Sequence, residues 1–148
     1  MAQKPPTRSD WERLIVKIAG AFDEASIPYH LDASTALYVQ GIDFEMDDLD
    51  ITVKWGCLDC ARKLFIKRAP SPISSTPSPS FHFDVDGLKV DVLAYESPTG
   101  LGDPADRVQI SVAGVRVWTK TVDFYRRHMR ADHPLANLVS EHFRNQQS

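Results

Sequence analysis

The segment "FHFDVDGLKVDVLA", Phe81 to Ala94, constrains the fold of this chain more than any other. Asp-Gly between two alternating runs is the strongest short-range hairpin signal, because both turn positions favour positive φ. A two-residue turn at Asp86-Gly87 pairs Val85 with Leu88, Asp84 with Lys89, Phe83 with Val90 and His82 with Asp91. Alternation then puts Phe81, Phe83, Val85, Leu88, Val90 and Val92 on one face. His82, Asp84, Lys89 and Asp91 share the other. "VQISVAGVRVW" offers a second hairpin around Ala113-Gly114.

Upstream, "DDLDITV" alternates in the same way, with Leu49, Ile51 and Val53 apolar and Asp48, Asp50 and Thr52 polar. Trp11, Leu14, Ile15, Ile18 and Phe22 stand at helical spacing, predicting a helix over 10–25 capped by Ser9 or Asp10. "YHL" is a short strand. A short helix is expected over 34–39, stopped by Gly41, and another over 57–67 that buries Leu58, Ala61, Leu64 and Phe65. "GIDFEM" and the Pro/Ser-rich "APSPISSTPSPS" read as loops. Two helices follow, over 122–129 and 135–144. The order helix, strand, helix, strand, helix, hairpin, hairpin, helices predicts an α+β fold, a mixed sheet flanked by helices. We expect a flexible tail over 1–9 and one domain over 10–148; 148 residues suit a single core.

A formal charge of −3, from 17 Lys and Arg against 20 Asp and Glu, argues against a general nucleic-acid binder. No apolar run reaches membrane-spanning length and the start lacks a signal-peptide core, so the expected address is cytoplasmic. Cys57 and Cys60 form a CxxC at a strand-to-helix step. Reduced structural cysteines, a redox pair and a metal site all remain open, although zinc would need further ligands.

Asp48 and Asp50, two apart on a strand, emerge on one face with Cα atoms roughly 6–7 Å apart. Asp91 lies on the polar face of a later strand. If that strand is adjacent, three carboxylates converge, a hard-oxygen set suited to Mg²⁺ and nucleotide phosphates. Asp84 could replace Asp91, but Asp84 faces Lys89 and that pair satisfies itself. Asp47 points away. Ala33, Ser34 and Thr35 open a short helix after a strand, where free N–H groups and the helix dipole suit an anion; simple capping by Ser34 is the alternative. Arg126, Arg127, His128 and Arg130 form either a solvated helix end or a cleft wall that contacts phosphate.

Together, "LDASTALYVQGIDFEMDDLDITV" and "LKVDVLA" resemble the nucleotidyltransferase fold of the DNA polymerase beta superfamily, in particular its small lincosamide adenylyltransferase-like and antitoxin-like members. Ala33-Ser34 stands where that pattern has Gly-Gly or Gly-Ser, Asp48-Leu49-Asp50 matches its Asp-x-Asp, and Asp91 matches its third acid. The resemblance runs from Trp11 to Ala94 and more weakly beyond. It implies that Asp48, Asp50 and Asp91 are catalytic and bind Mg²⁺, two ions when nucleotide is present. Ala33, Ser34 and Thr35 would contact a nucleoside triphosphate such as ATP, and Lys89, from its position beside Asp91, is a candidate for neutralising its charge. A nucleoside monophosphate would pass to a hydroxyl on a small molecule or protein. Alanine in place of the first glycine makes a catalytically degenerate nucleotide-binding or antitoxin-like interaction module the alternative, with a homodimer or protein partner. A membrane or long nucleic acid is not expected as partner.

Overall fold

A computed structural model of the protein describes residues 4–75, 78–97 and 100–147. Residues 1–3 of the expected tail, 76–77 of the Pro/Ser loop and residue 148 lie outside them. The first helix, α1 (Arg8–Glu24), begins earlier than expected. Thr7, rather than Ser9 or Asp10, is its N-cap. The Thr7 side chain accepts the Asp10 N–H while the Asp10 carboxylate accepts the Thr7 N–H, a reciprocal capping box. Its apolar stripe, Trp11 through Phe22, is buried as the spacing required.

The remaining order is β1 (Tyr29–Leu31), α2 (Ala33–Val39), β2 (Asp48–Val53), α3 (Leu58–Leu64), β3 (Ser80–Val85), β4 (Leu88–Leu93), β5 (Arg107–Val112), β6 (Val115–Lys120), α4 (Val122–His128) and α5 (Ala136–Gln147). The expected α+β architecture is present: one mixed six-stranded sheet in the order β3-β4-β2-β1-β6-β5. Both hairpins turn where expected. Asp86 and Gly87 have φ of 51° and 84°, and Ala113 and Gly114 have 49° and 83°. Positive φ at both turn positions matches the strand twist. The register of β3 and β4 pairs Val85 with Leu88 and His82 with Asp91, as the turn dictated.

The expected helix over 57–67 divides. α3 ends at Leu64, and Ile66–Arg68 forms a single 3-10 turn closed by Ala69 at φ 52°. Leu64 is 40% exposed rather than buried, while Leu58, Ala61 and Phe65 are in the core as expected. Leu58, Ala61 and Phe65 stand at i, i+3 and i+7 on one helical face, and Leu64 falls beside that stripe rather than on it.

The two faces of the sheet have different work. Tyr29, Leu31, Leu49, Ile51, Val53, Phe81, Phe83, Val90 and Val92 pack with α1 and α3 into the main core. A second, smaller cluster joins α2 to α4 and α5 through Ala36, Leu37, Ile42, Val122, Tyr125 and Val139. Strand alternation leaves His30, Asp48, Asp50, Thr52, His82 and Asp91 on the face opposite the main core. Among the described residues, no helix is long and apolar enough to cross a membrane.

Candidate functional site

β4 lies parallel beside β2, the adjacency on which the expected convergence of the acids depends. The register places Asp50 opposite Asp91 and Asp48 opposite Lys89. On the other side of β2, the Asp32 N–H donates to the Asp50 carbonyl at 3.0 Å, which extends the β1 pairing by one residue. Asp32, Asp50, Asp91 and His82 therefore stand in one row across four strands.

The row concentrates negative charge on a half-buried surface. Burial, then Asp91, Asp48 and Asp32, push the Asp50 carboxyl up to about 7, with Lys89 pulling weakly the other way. Burial also raises Asp91, against the opposing pull of Lys89. Lys89 does not satisfy Asp84 as expected. Its ammonium pairs with Asp91 at 3.8 Å, because side chains two apart on one strand face reach each other as readily as a cross-strand partner. Among the described residues, no three His, Cys, Asp or Glu side chains are gathered closely enough to form a ready-made metal-holding group. The donor chemistry is nonetheless that of a hard cation: carboxylate oxygens, mutually repelling, with a raised proton affinity.

The turn before α2 differs from the expectation in its capping. Asp32, not Ser34, is the N-cap, and its carboxylate accepts the Ala33 N–H at 2.7 Å. Ala33 itself sits at φ 51°, the left-handed conformation that a glycine would adopt without cost. Ser34 is part-exposed on the first turn of α2. Thr35 is fully buried and faces the strand. Its hydroxyl accepts the Asp50 N–H at 2.8 Å and lies 3.4 Å from the Asp48 carbonyl, so it holds the acid-bearing backbone rather than an open cleft.

Two cavities meet at Ala33 and the Phe124-Tyr125 pair. The first, about 650 Å³, has Asp32, Asp50, Tyr95, Lys120, Phe124 and Tyr125 among its walls. The second, about 720 Å³, is bounded by Ser34, Leu37, His128, Met129, Arg130 and His133 among others. Arg126 and Arg127 are engaged elsewhere, with Asp123 and, for Arg127, Asp106. Of the basic cluster, His128 and Arg130 line the second cavity. Cys57 and Cys60 are free thiols; Cys57 precedes α3 and Cys60 is exposed on it.

Several residues of this region carried no weight in the sequence. Asp32 was legible as an N-cap directly after a strand. Tyr125 was not: its hydroxyl donates to Asp32 and accepts the Ala33 N–H at 2.6 Å from 92 residues away. Thr52 completes the hold on Asp32 at 2.7 Å. His30 and Lys120, both buried polar residues, line the first cavity without any local sequence signal.

No protein-family model matches this chain, and no curated protein sequence matches it. Solved structures do. A Thermotoga maritima protein regarded as a nucleotidyltransferase is 17% identical with a TM-score of 0.67, over 97% of this chain and 95% of that one. ANT(2″)-Ia, solved with adenylyl-2″-tobramycin, is 14% identical with a TM-score of 0.66, over 93% and 91%. The lincosamide antibiotic adenylyltransferase LnuA, solved with lincomycin bound, is 12% identical with a TM-score of 0.68, over 93% and 98%. The chain shares the nucleotidyltransferase-like fold of these structures.

Proposed function

We propose that this protein transfers a nucleoside monophosphate from a nucleoside triphosphate to a hydroxyl acceptor. The observation that carries this reading is the register of Asp50 opposite Asp91 on parallel β2 and β4, with Asp48 two residues away on the same face. Asp48, Asp50 and Asp91 would hold one or two Mg²⁺ ions. When bound, the metal neutralises phosphate charge and makes the acceptor hydroxyl more acidic.

The remaining work falls to the chain. Asp50 borders the first cavity, which favours it for orienting the acceptor hydroxyl and taking its proton. The acceptor oxygen bonds to the α-phosphorus as the bond from that phosphorus to the bridging oxygen breaks, and pyrophosphate leaves with the electron pair. Ser34, which borders the second cavity, offers a hydroxyl donor to the phosphates. Lys89 places a positive charge beside Asp91 and offsets charge that builds on the phosphates. Thr35 fixes the strand backbone between the two β2 acids. ATP is the first nucleotide to test. Incubation with Mg²⁺, each labelled nucleoside triphosphate and a cell extract as acceptor source should release pyrophosphate and label a product. Absence of both with folded protein would reject the transfer reading.

A second reading has its own support. Tyr125 and Asp32 already engage the Ala33 N–H, so that amide faces a carboxylate instead of an open anion site. This favours a nucleotide-binding or antitoxin-like interaction module that keeps the fold without catalysis, acting as a homodimer or with a protein partner. It predicts Mg²⁺-dependent nucleotide binding with no pyrophosphate release, and calorimetry beside a pyrophosphate assay separates the two readings.

A further inference from the structure

Lys120, the last residue of β6, is 9% exposed. Its carbonyl accepts the Gln40 Nε2 donor at 2.7 Å, which fixes the strand end. Its ammonium rests 4.3 Å from the centre of the Phe124 ring. On another side, a Cβ placed on Gly102 would come within 3.2 Å of Nζ, so the backbone of this loop passes close to the ammonium. None of the ion pairs among the described residues involves Lys120. A buried ammonium is costly unless an anion pairs with it, and an aromatic face compensates only in part.

Lys120, Phe124 and Gly102 all line the first cavity. The acids there do not serve it. Asp32 is held by the Thr52 and Tyr125 hydroxyls and the Ala33 N–H. Asp50 belongs to the carboxylate row, and Glu96 is exposed. Much of the remaining wall is apolar or aromatic, including Leu93, Tyr95 and Leu101. The cavity thus combines one buried cation, an apolar middle and Asp50. Ser34 borders the other cavity, so a triphosphate at Ser34 and an anion at Lys120 would occupy separate places.

We propose that the first cavity receives an acidic acceptor: a carboxylate or phosphate ester at Lys120, an apolar or aromatic body against Phe124 and Tyr95, and a hydroxyl toward Asp50. The direction of the hydroxyl rests on the transfer reading; the preference for an anion does not.

The test measures binding without metal or nucleotide at pH 7.5, by calorimetry or ligand-observed NMR. The probes share a ring and differ in charge: 4-hydroxyphenylacetate, 4-hydroxyphenylacetamide and tyramine, with phenyl phosphate to separate a phosphate site from a carboxylate site. At least one anionic probe should bind about tenfold or more tightly than the amide, and tyramine should be weakest, as expected for a charge-assisted hydrogen bond. Lys120→Met retains the stem against Phe124 and should abolish the preference while leaving amide binding unchanged. The wild-type ranking stands by itself should Lys120→Met fold poorly. The proposal is overturned if no probe binds at millimolar concentration, if tyramine equals or exceeds the acids, or if Lys120→Met keeps the preference. It is overturned equally if Lys120→Met weakens Mg-ATP and leaves the acid probes untouched, since Lys120 would then serve the triphosphate. Failure of wild type to bind Mg-ATP would count against the transfer reading and leave the anion preference standing.

Discussion

The Tyr125 hydroxyl accepts the Ala33 N–H at 2.6 Å and donates to the Asp32 carboxylate, tying α4 to the turn that opens α2. Burial and the adjacent Asp32 hold this phenol far above the usual tyrosine range, so it remains a neutral donor. Tyr125→Phe removes a donor to a half-buried carboxylate and should lower stability by about 1–3 kcal/mol. Urea denaturation of the two proteins measures this. An unchanged midpoint would mean that water replaces the hydroxyl and the tie is incidental.

Ala33 occupies a left-handed conformation at φ 51°. Glycine relieves the Cβ strain but adds freedom to the unfolded chain. Ala33→Gly should therefore stabilise the protein by a net ~0.5–1 kcal/mol, visible as a small rise in melting temperature. A fall in melting temperature would show that this turn is not left-handed in solution.

Thr35 is the buried support of the acid-bearing strand. Thr35→Val leaves the Asp50 N–H without its acceptor and should cost about 1–3 kcal/mol. Thr35→Ser keeps the hydroxyl and should recover most of that loss. Equal damage from both would place the cost in the methyl group and its packing.

Much of this arrangement was legible because its determinants are local. An Asp-Gly turn fixes a hairpin register by itself, and alternation then assigns each side chain to a face. That is why the partnership of His82 with Asp91 and the shared face of Asp48 and Asp50 followed from the sequence. The adjacency of β2 and β4 was only conditional, since a parallel neighbour is set by a long crossover rather than by a turn. The Tyr125 contact and the burial of Lys120 depend on where α4 and β6 close against β1, which no window of residues records. Cross-strand register points Lys89 to Asp84, but the choice between that carboxylate and Asp91 turns on side-chain direction, which register leaves open.

His30 gives the fold a pH dependence of known sign. Burial holds its imidazole below the ordinary 6.5, with Lys120 and Arg107 acting in the same sense and Asp32 and the Leu31 carbonyl opposing. The native state therefore takes up the proton less readily than the unfolded chain. Stability is unaffected by this group above about pH 6.5 and falls as the pH drops below it, until the native imidazole titrates too. His30→Gln should flatten the stability profile over that acidic window relative to wild type. Parallel profiles would show that the imidazole titrates alike in both states.

Asp50 carries the central claim. Its carboxyl, pushed up to about 7, is fully ionised only at higher pH, where burial and the neighbouring acids act against it. Its unfavourable effect on the metal-free fold is absent below the ordinary carboxylate range and grows as the pH rises toward and through about 7. The most direct measurement is a set of thermal melts at pH 8, for wild type and Asp50→Asn, in EDTA and then with Mg²⁺ and a non-hydrolysable ATP analogue. In EDTA the variant should be more stable by roughly 1–3 kcal/mol, because neutralising the carboxylate relieves its repulsion. Wild type should gain stability from Mg²⁺ and nucleotide together, and the variant should gain much less, since an amide is a poor ligand for a hard cation. If wild type gains nothing from these ligands and Asp50→Asn is the less stable protein in EDTA, then Asp50 is a structural acceptor and the row of acids does not hold a metal nucleotide.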